Sequence, residues 1–350
     1  MKRHISLQAA LAALTTTAAA AGLAAGSLGA APAGAATGTS LPAHVFAPYV
    51  ETYDTSSSPS TLSQESGAKY LTFAFLQTAS AGSCTAYWNG DTSTPIAQSS
   101  FGSDISAMQA AGGNAIPSFG GYSADSTGTD IADSCTSVAK IAAVYEKVIT
   151  TYNVPRIDLD IEANSLTNTA GINRRDKAVA QVEAWGRHNG RSVHFSYTMP
   201  STTTGLDSDE TKVLQNAKAD GAKVGVLNIM TFDYYVGTKQ NMLSDTETAA
   251  QDTVSQLQSL YPSQSATQLW HKIGITEMLG IDDYGPDETF AKAQAAPLLS
   301  WAKDKHIGTL SFWALQRDNG GCPGTKGAGT CSGISQPTWY FSQHFEPFTG

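Results

Sequence analysis

Eight short runs rich in β-branched and aromatic residues recur along this chain, and segments of helical spacing separate most of them. Few folds accommodate that alternation. The runs are residues 44–50, 70–77, 114–119, 156–162, 192–198, 223–232, 273–279 and 307–315. Val138, Ile141, Val144 and Tyr145 stand at helical spacing before the fourth run, and Val179, Val182 and Trp185 follow it. Further helices are expected over residues 246–260, with Val254, Leu257 and Leu260 on one face, and over residues 337–346. Strand then helix, eight times, predicts the α/β class and a single (β/α)8 TIM barrel without a large insertion domain. An open doubly wound sheet would give the same alternation, but the chain has no Gly-x-Gly-x-x-Gly or phosphate-binding loop. Ser-, Gly- and Thr-rich residues 52–66, 120–134 and 317–336 read as surface loops.

Residues 1–36 begin with Met1, Lys2, Arg3 and His4, continue through an Ala- and Leu-rich stretch and end in small residues around Ala33 to Ala36. That layout predicts a secretory signal peptide, with residues 37–350 as one catalytic barrel domain in an exported protein. No segment holds 18 uninterrupted apolar residues, so no membrane span is expected. The chain carries 21 Lys and Arg against 30 Asp and Glu, and losing Lys2 and Arg3 takes its net charge from −9 to −11. Such an acidic chain is a poor partner for nucleic acid or anionic lipid. Its four cysteines, in an exported protein, imply two disulfides, expected as Cys84 with Cys135 and Cys322 with Cys331. The competing zinc reading lacks a Cys-x-x-Cys pair, and the histidines are scattered, so no metal is expected.

Asp158, Asp160 and Glu162 alternate with Ile157, Leu159 and Ile161 in the fourth run. Side chains on a strand alternate faces, so the three carboxyls project together and the aliphatic set packs against helices. An acidic edge strand would not normally be flanked by helices on both sides, and calcium loops space their acids around glycine rather than Ile and Leu. Crowded, desolvated acids raise one another's pKa, which supplies a protonated acid near neutral pH. Glu162 is nearest the carboxyl end of the strand, where barrel active sites open, so it is the expected proton donor.

Asp158-x-Asp160-x-Glu162 resembles the signature of glycoside hydrolase family 18, the chitinase family. Ser118, Phe119, Gly120 and Gly121 look like that family's Ser-x-Gly-Gly, and Met230, Thr231, Phe232 and Asp233 look like its Met-x-Tyr-Asp. Trp313 falls where the family places a tryptophan on the eighth strand. Asn173 to Arg175, Ser196 to Pro200 and Ser311 to Leu315 look like stretches of a bacterial chitinase subgroup. The resemblance implies a retaining mechanism in which the substrate's own N-acetyl carbonyl attacks the anomeric carbon. Glu162 would be acid and base, Asp160 would orient the acetamido N–H, and Asp158 would share a proton with Asp160. Asp233, Met230 and Trp313 would hold the sugar.

Two departures from the pattern stand out. Pro155 and Arg156 replace the leading Asp-Gly, and Phe232 replaces a tyrosine whose hydroxyl donates to the acetamido carbonyl. Tyr197 is the expected substitute donor, with Tyr234 as the alternative. Both Phe232 and Asp233 can face the site only if the sixth strand bulges or ends there. Tyr87, Trp88 and Tyr284 are candidates to extend the cleft, and Gly120 and Gly121 are expected to serve a tight turn. With only residues 281–286 between the seventh run and its helix, the cleft is expected to be open and to favour internal cuts.

The expected partner is chitin or an N-acetylglucosamine oligosaccharide, and nothing in the sequence requires a cofactor or an oligomer. An endo-β-N-acetylglucosaminidase acting on N-glycans would share the acids. A chitin-binding protein with weak activity would differ in the final Glu, which is present. A serine esterase lacks its Gly-x-Ser-x-Gly motif.

Overall fold

The computed structural model describes residues 40–350; the expected signal peptide over residues 1–36 lies outside them. In chain order the strands are β1 (Val45–Phe46), β2 (Tyr49–Glu51), β3 (Tyr70–Thr78), β4 (Ala86–Trp88), β5 (Asn114–Gly120) and β6 (Arg156–Asp160). There follow β7 (His194–Pro200), β8 (Val224–Met230), β9 (Ile273–Met278), β10 (Gly280–Ile281), β11 (Thr289–Phe290) and β12 (Thr309–Trp313). The sheet runs β1-β12-β9-β8-β7-β6-β5-β3-β2, its neighbours parallel. Its two ends are halves of one interrupted strand: β1 pairs with β12 and β2 with β3. The ring is therefore closed, and the first run is split between the two seams.

The helices are α1 (Pro59–Ser66), α2 (Gly102–Ala110), α3 (Tyr122–Thr127), α4 (Ile131–Ser134), α5 (Val138–Tyr152) and α6 (Thr169–His188). Then come α7 (Ser208–Asp220), α8 (Met242–Leu260), α9 (Ala266–Lys272), α10 (Lys292–Lys305) and α11 (Tyr340–Phe345). The apolar face of each strand supplies the core between sheet and helices: Ile157 and Leu159 from β6, Leu227 and Ile229 from β8, and Leu310 and Phe312 from β12 are buried there. Each such side chain contributes roughly 1.5–3 kcal/mol when fully buried.

Several loops expected from composition are ordered differently. Residues 59–66 form α1 because Ser58 accepts the Thr61 amide as an N-cap and Pro59 opens the helix, a Ser-Pro signal that composition alone conceals. Residues 120–134 hold α3 and α4, the latter capped by Asp130 through the amides of Ala132 and Asp133. Within residues 317–336, Arg317, Asp318 and Ser332 are buried. Arg317 donates to the carbonyls of Leu279 and Ile281, and Asp318 accepts from Phe341 and Ser342. The stretch before α10 is also longer than expected, because β10 and β11 pair as a small antiparallel hairpin.

Both expected disulfides form. Cys84–Cys135 ties the segment before β4 to the end of α4, and Cys322–Cys331 closes a loop after β12.

At the top of β5 the chain must pass very close to β6. A Cβ on Gly120 would lie 2.1 Å from the Asp160 carbonyl oxygen, and one on Gly121 would lie 2.7 Å from the Phe75 ring. Both residues also hold positive φ, +96° and +83°. Gly120→Ala is expected to cost about 2 kcal/mol or more by prising β5 from β6. Urea unfolding checks this, and an unchanged midpoint and slope would refute the close-approach argument.

Candidate active site

The inward face of the barrel is polar at mid-height. Asp158 sits near the axis and accepts four hydroxyl hydrogen bonds: Tyr49 (2.9 Å) and Ser118 (2.7 Å) on Oδ2, Ser196 (2.6 Å) and Thr198 (2.8 Å) on Oδ1. Asn228 extends the layer by donating to Thr198 and Thr276. Below, Arg156 bonds Thr309; burial pushes its pKa down to about 10, and the Asp158 charge pulls against that. Burial pushes the Asp158 carboxyl up, and the four hydroxyls pull against it.

Asp160, two residues on, is buried on the same face, yet no donor among the described residues hydrogen-bonds its carboxyl. Burial, then the charges of Glu162, Asp158 and Asp125, hold it well above the usual carboxylate range. Among the described residues no hydrogen bond joins Asp158 to Asp160. Four hydroxyls occupy Asp158, while burial and neighbouring like charge push the Asp160 carboxyl up.

β6 ends at Asp160, but the backbone stays extended through Glu162, at φ −132° and ψ 179°. Asp160 and Glu162 consequently open into one cleft of about 620 Å³ with Met230, Phe232, Asp233, Met278, Asp283 and Trp313 on its walls. Burial raises Glu162 to about 7, with Asp233 and Asp283 adding to the shift; the nearby Tyr122 amide opposes it.

β8 ends at Met230, which lets Phe232 and Asp233 both face the cleft, with Asp233 in the left-handed region at φ 51°. Its main chain is clasped: the Asp233 amide donates to Asp282 (2.9 Å), while its Oδ1 accepts from the amides of Asp283 (3.0 Å) and Tyr284 (3.1 Å). Burial and the Asp283 charge raise Asp233 to about 6. Trp313 stacks on Phe75, with ring centres 5.7 Å apart and planes 11° from parallel. Among the described residues Tyr53, Tyr122 and Tyr235 are exposed aromatics, and all three line this cleft.

Three sequence expectations are corrected. Tyr197 pairs in register with Leu159 on the outward face, and its hydroxyl donates to Asp176 (2.8 Å) beneath α6, away from the cleft. Tyr234 points beneath the cleft wall toward Glu277 and Thr246 rather than lining it. Trp88 is fully buried, bonding the Tyr152 hydroxyl. Tyr87 lies on β4, and Tyr284 packs against Tyr235 at the rim. The Asp158 hydroxyl cradle and Phe75 were not singled out from sequence, although strand alternation places Ser196 and Thr198 on the face toward Asp158.

Residues 45–297 match the family model described as "Glycosyl hydrolases family 18", a match ending before β12. The chain is 29% identical over 320 residues to "Probable bifunctional chitinase/lysozyme" of Escherichia coli, covering 88% of this chain and 35% of that protein. It is 29% identical over 288 residues to "Endochitinase 11" of Metarhizium anisopliae, covering 79% and 53% respectively. The chain thus spans about a third and about half of the length of these curated relatives. The crystal structure of the catalytic domain of a hyperthermophilic chitinase from Pyrococcus furiosus superposes with a TM-score of 0.77 at 30% identity, covering 89% of this chain and 97% of that one. Catalytic-site mutants of active domain 2 of a thermostable Pyrococcus furiosus chitinase, complexed with chito-oligosaccharides, superpose with a TM-score of 0.77 at 29% identity, covering 89% and 96%.

The raised acids fix the pH dependence of stability. Glu162, Asp282 and Asp176 near 7, Asp233 near 6 and Glu277 near 8 keep protons that the unfolded chain has already released. Between about pH 4.5 and 8 the folded state binds more protons, so stability falls as pH rises. The melting temperature is expected to be higher at pH 5 than at pH 8; the reverse order would mean that these acids are ionised in the folded protein.

Proposed function

The chain belongs to the glycosyl hydrolases family 18, and we propose that it is a secreted chitinase cutting β-1,4-linked N-acetylglucosamine polymers internally, with retention of configuration. The observation that carries this reading is the placement of Asp160 and Glu162 in one cleft, Asp160 without a donor and Glu162 raised to about 7. A carboxyl with that value is protonated in part at neutral pH, as a general acid requires.

Glu162 gives its proton to the glycosidic oxygen as the bond to the anomeric carbon breaks, and later takes a proton from the incoming water. The substrate's acetamido carbonyl supplies the electron pair, closing an oxazolinium ion, so the protein provides no nucleophile. Asp160 accepts the acetamido N–H and offsets the developing positive charge, while Asp158, saturated by its four hydroxyls, lies beneath it on the same strand face. Asp233 holds the acetamido group from the facing wall. The stacked pair of Trp313 and Phe75 offers a flat floor suited to the C–H face of a sugar.

Phe232 brings no hydroxyl, so Tyr122 and Tyr235, which line the cleft, are the candidate donors to a bound sugar, the Tyr53 hydroxyl being engaged by Glu51. Between β9 and α10 the chain adds only the small β10–β11 hairpin, too little to wall a tunnel, which supports internal cleavage over threading. The names of the two curated relatives and of the Pyrococcus domain support chitin as the polymer. The signal-like layout of residues 1–36 supports export, and the protein is proposed to act as a monomer.

Wild type should release reducing N-acetylglucosamine oligomers from colloidal chitin, and a folded Glu162→Gln variant should be slower by about a thousandfold or more. Silence of both proteins defeats the chitin assignment and moves N-glycan cleavage or sugar binding ahead. Equal activity of both defeats Glu162 as the acid.

A further inference from the structure

Behind Glu162, on the side away from the cleft, lies a buried ionic layer that the mechanism above does not use. Asp125 on α3 is fully buried, and its Oδ2 accepts the Glu162 amide at 2.5 Å. Its Oδ1 has no hydrogen-bond partner among the described residues, and Arg175 on α6 supplies the counter-charge. Arg175 is itself buried and bonds Asp130 at 3.3 Å. Asp133, on α4 next along the chain, accepts from Ser165 and, at 2.9 Å, from Asn168.

These contacts converge on one turn of the main chain. Directly after Glu162, Ala163 holds φ 42°, a left-handed conformation that is strained for a residue bearing a Cβ. The turn persists because it is anchored at three successive points: the Glu162 amide on Asp125, the Asn164 side chain on the Ser126 carbonyl (3.1 Å) and the Ser165 hydroxyl on Asp133. Strain maintained by several surrounding contacts is characteristic of over-determined functional turns. The close approach of Gly120 to β6 brings α3 near enough to make the first contact, and Cys84–Cys135 pins the end of α4.

We propose that Asp125, backed by Arg175, is a positioning residue for Glu162: it clamps the Glu162 main chain from behind the cleft and so fixes where its carboxyl projects. The proposal rests on Glu162 being the acid. Asp125 does not touch substrate, so its loss should alter the chemical step and leave sugar binding intact. An acid displaced by about an ångström loses on the order of a hundredfold in rate.

The test uses the exported-length chain with a soluble N-acetylglucosamine oligosaccharide. Asp125→Ala should lower kcat about a hundredfold with KM within about threefold of wild type, and Asp125→Asn, which keeps an oxygen acceptor in the same place, should recover most of the loss. A folded Asp125→Ala protein with wild-type kcat overturns the proposal, as does an Asp125→Asn protein no better than Asp125→Ala. Because the alanine variant can fail to fold, the wild-type protein gives a second readout that needs neither variant nor turnover. In an amide NMR spectrum, the Glu162 N–H should resonate well downfield of ordinary amides and exchange slowly; an ordinary shift with fast exchange overturns the clamp. If wild type is silent on the oligosaccharide, the functional reading fails, and the amide resonance still decides the clamp.

Discussion

The four hydroxyl hydrogen bonds to Asp158 are the constraint around which the upper half of the barrel is organised. A carboxylate at the axis of a closed sheet is costly, since desolvation penalises its charge by several kcal/mol unless donors replace the lost water. Here the donors come from three other strands: Tyr49 from β2, Ser118 from β5, and Ser196 and Thr198 from β7. Each is a strand residue whose inward direction is set by the pleat, so satisfying Asp158 also fixes strand register around that arc. Removing Asp158 would leave four buried hydroxyls to find new partners.

With Asp158 saturated, the strain of like charge passes upward. Asp160 has no donor and faces Glu162 and Asp125 as well as Asp158, while Glu162 feels Asp233 and Asp283 across the cleft. The cations associated with these acids are set apart from the cleft lining: Arg156 lies below, Arg175 behind α3, and Arg317 under the β10–β11 hairpin, bonded to main-chain carbonyls. A cleft rich in acids and lined by no cation keeps protons near neutral pH, which is the property an acid catalyst needs. The conformation of Asp233, held by the Asp282–Tyr284 turn, and the turn at Glu162–Ala163, held by α3 and α4, supply the rigidity.

Much of this was legible in the sequence because it depends on period. The eight runs became the barrel, and the alternation of Asp158, Asp160 and Glu162 with Ile157, Leu159 and Ile161 gave their shared face directly. Tyr197 was misplaced for a reason the same rule contains: flanked by Ser196 and Thr198, which face Asp158, it must face outward. The cleft walls were harder to read, since Phe75, Met278 and Asp283 meet Trp313 and Glu162 only once distant strands close into a ring. Asp125 was invisible, because its contact with Glu162 depends on Gly120 passing close to β6 and Gly121 close to the Phe75 ring. Helix α1 was hidden by Ser-rich composition although its cap, Ser58 followed by Pro59, is a local signal.

Asp160 and Glu162, the two carboxyls of this triplet that line the cleft, work with the substrate's own acetamido group rather than with water directly. The most direct measurement is time-resolved proton NMR of an N-acetylglucosamine oligosaccharide during cleavage, reading the anomeric configuration of the new reducing end before mutarotation. The account predicts the β anomer first, because attack by the acetamido carbonyl followed by water inverts the centre twice. The α anomer appearing first would mean that water attacks directly, and would contradict the role given to Asp160 and Glu162.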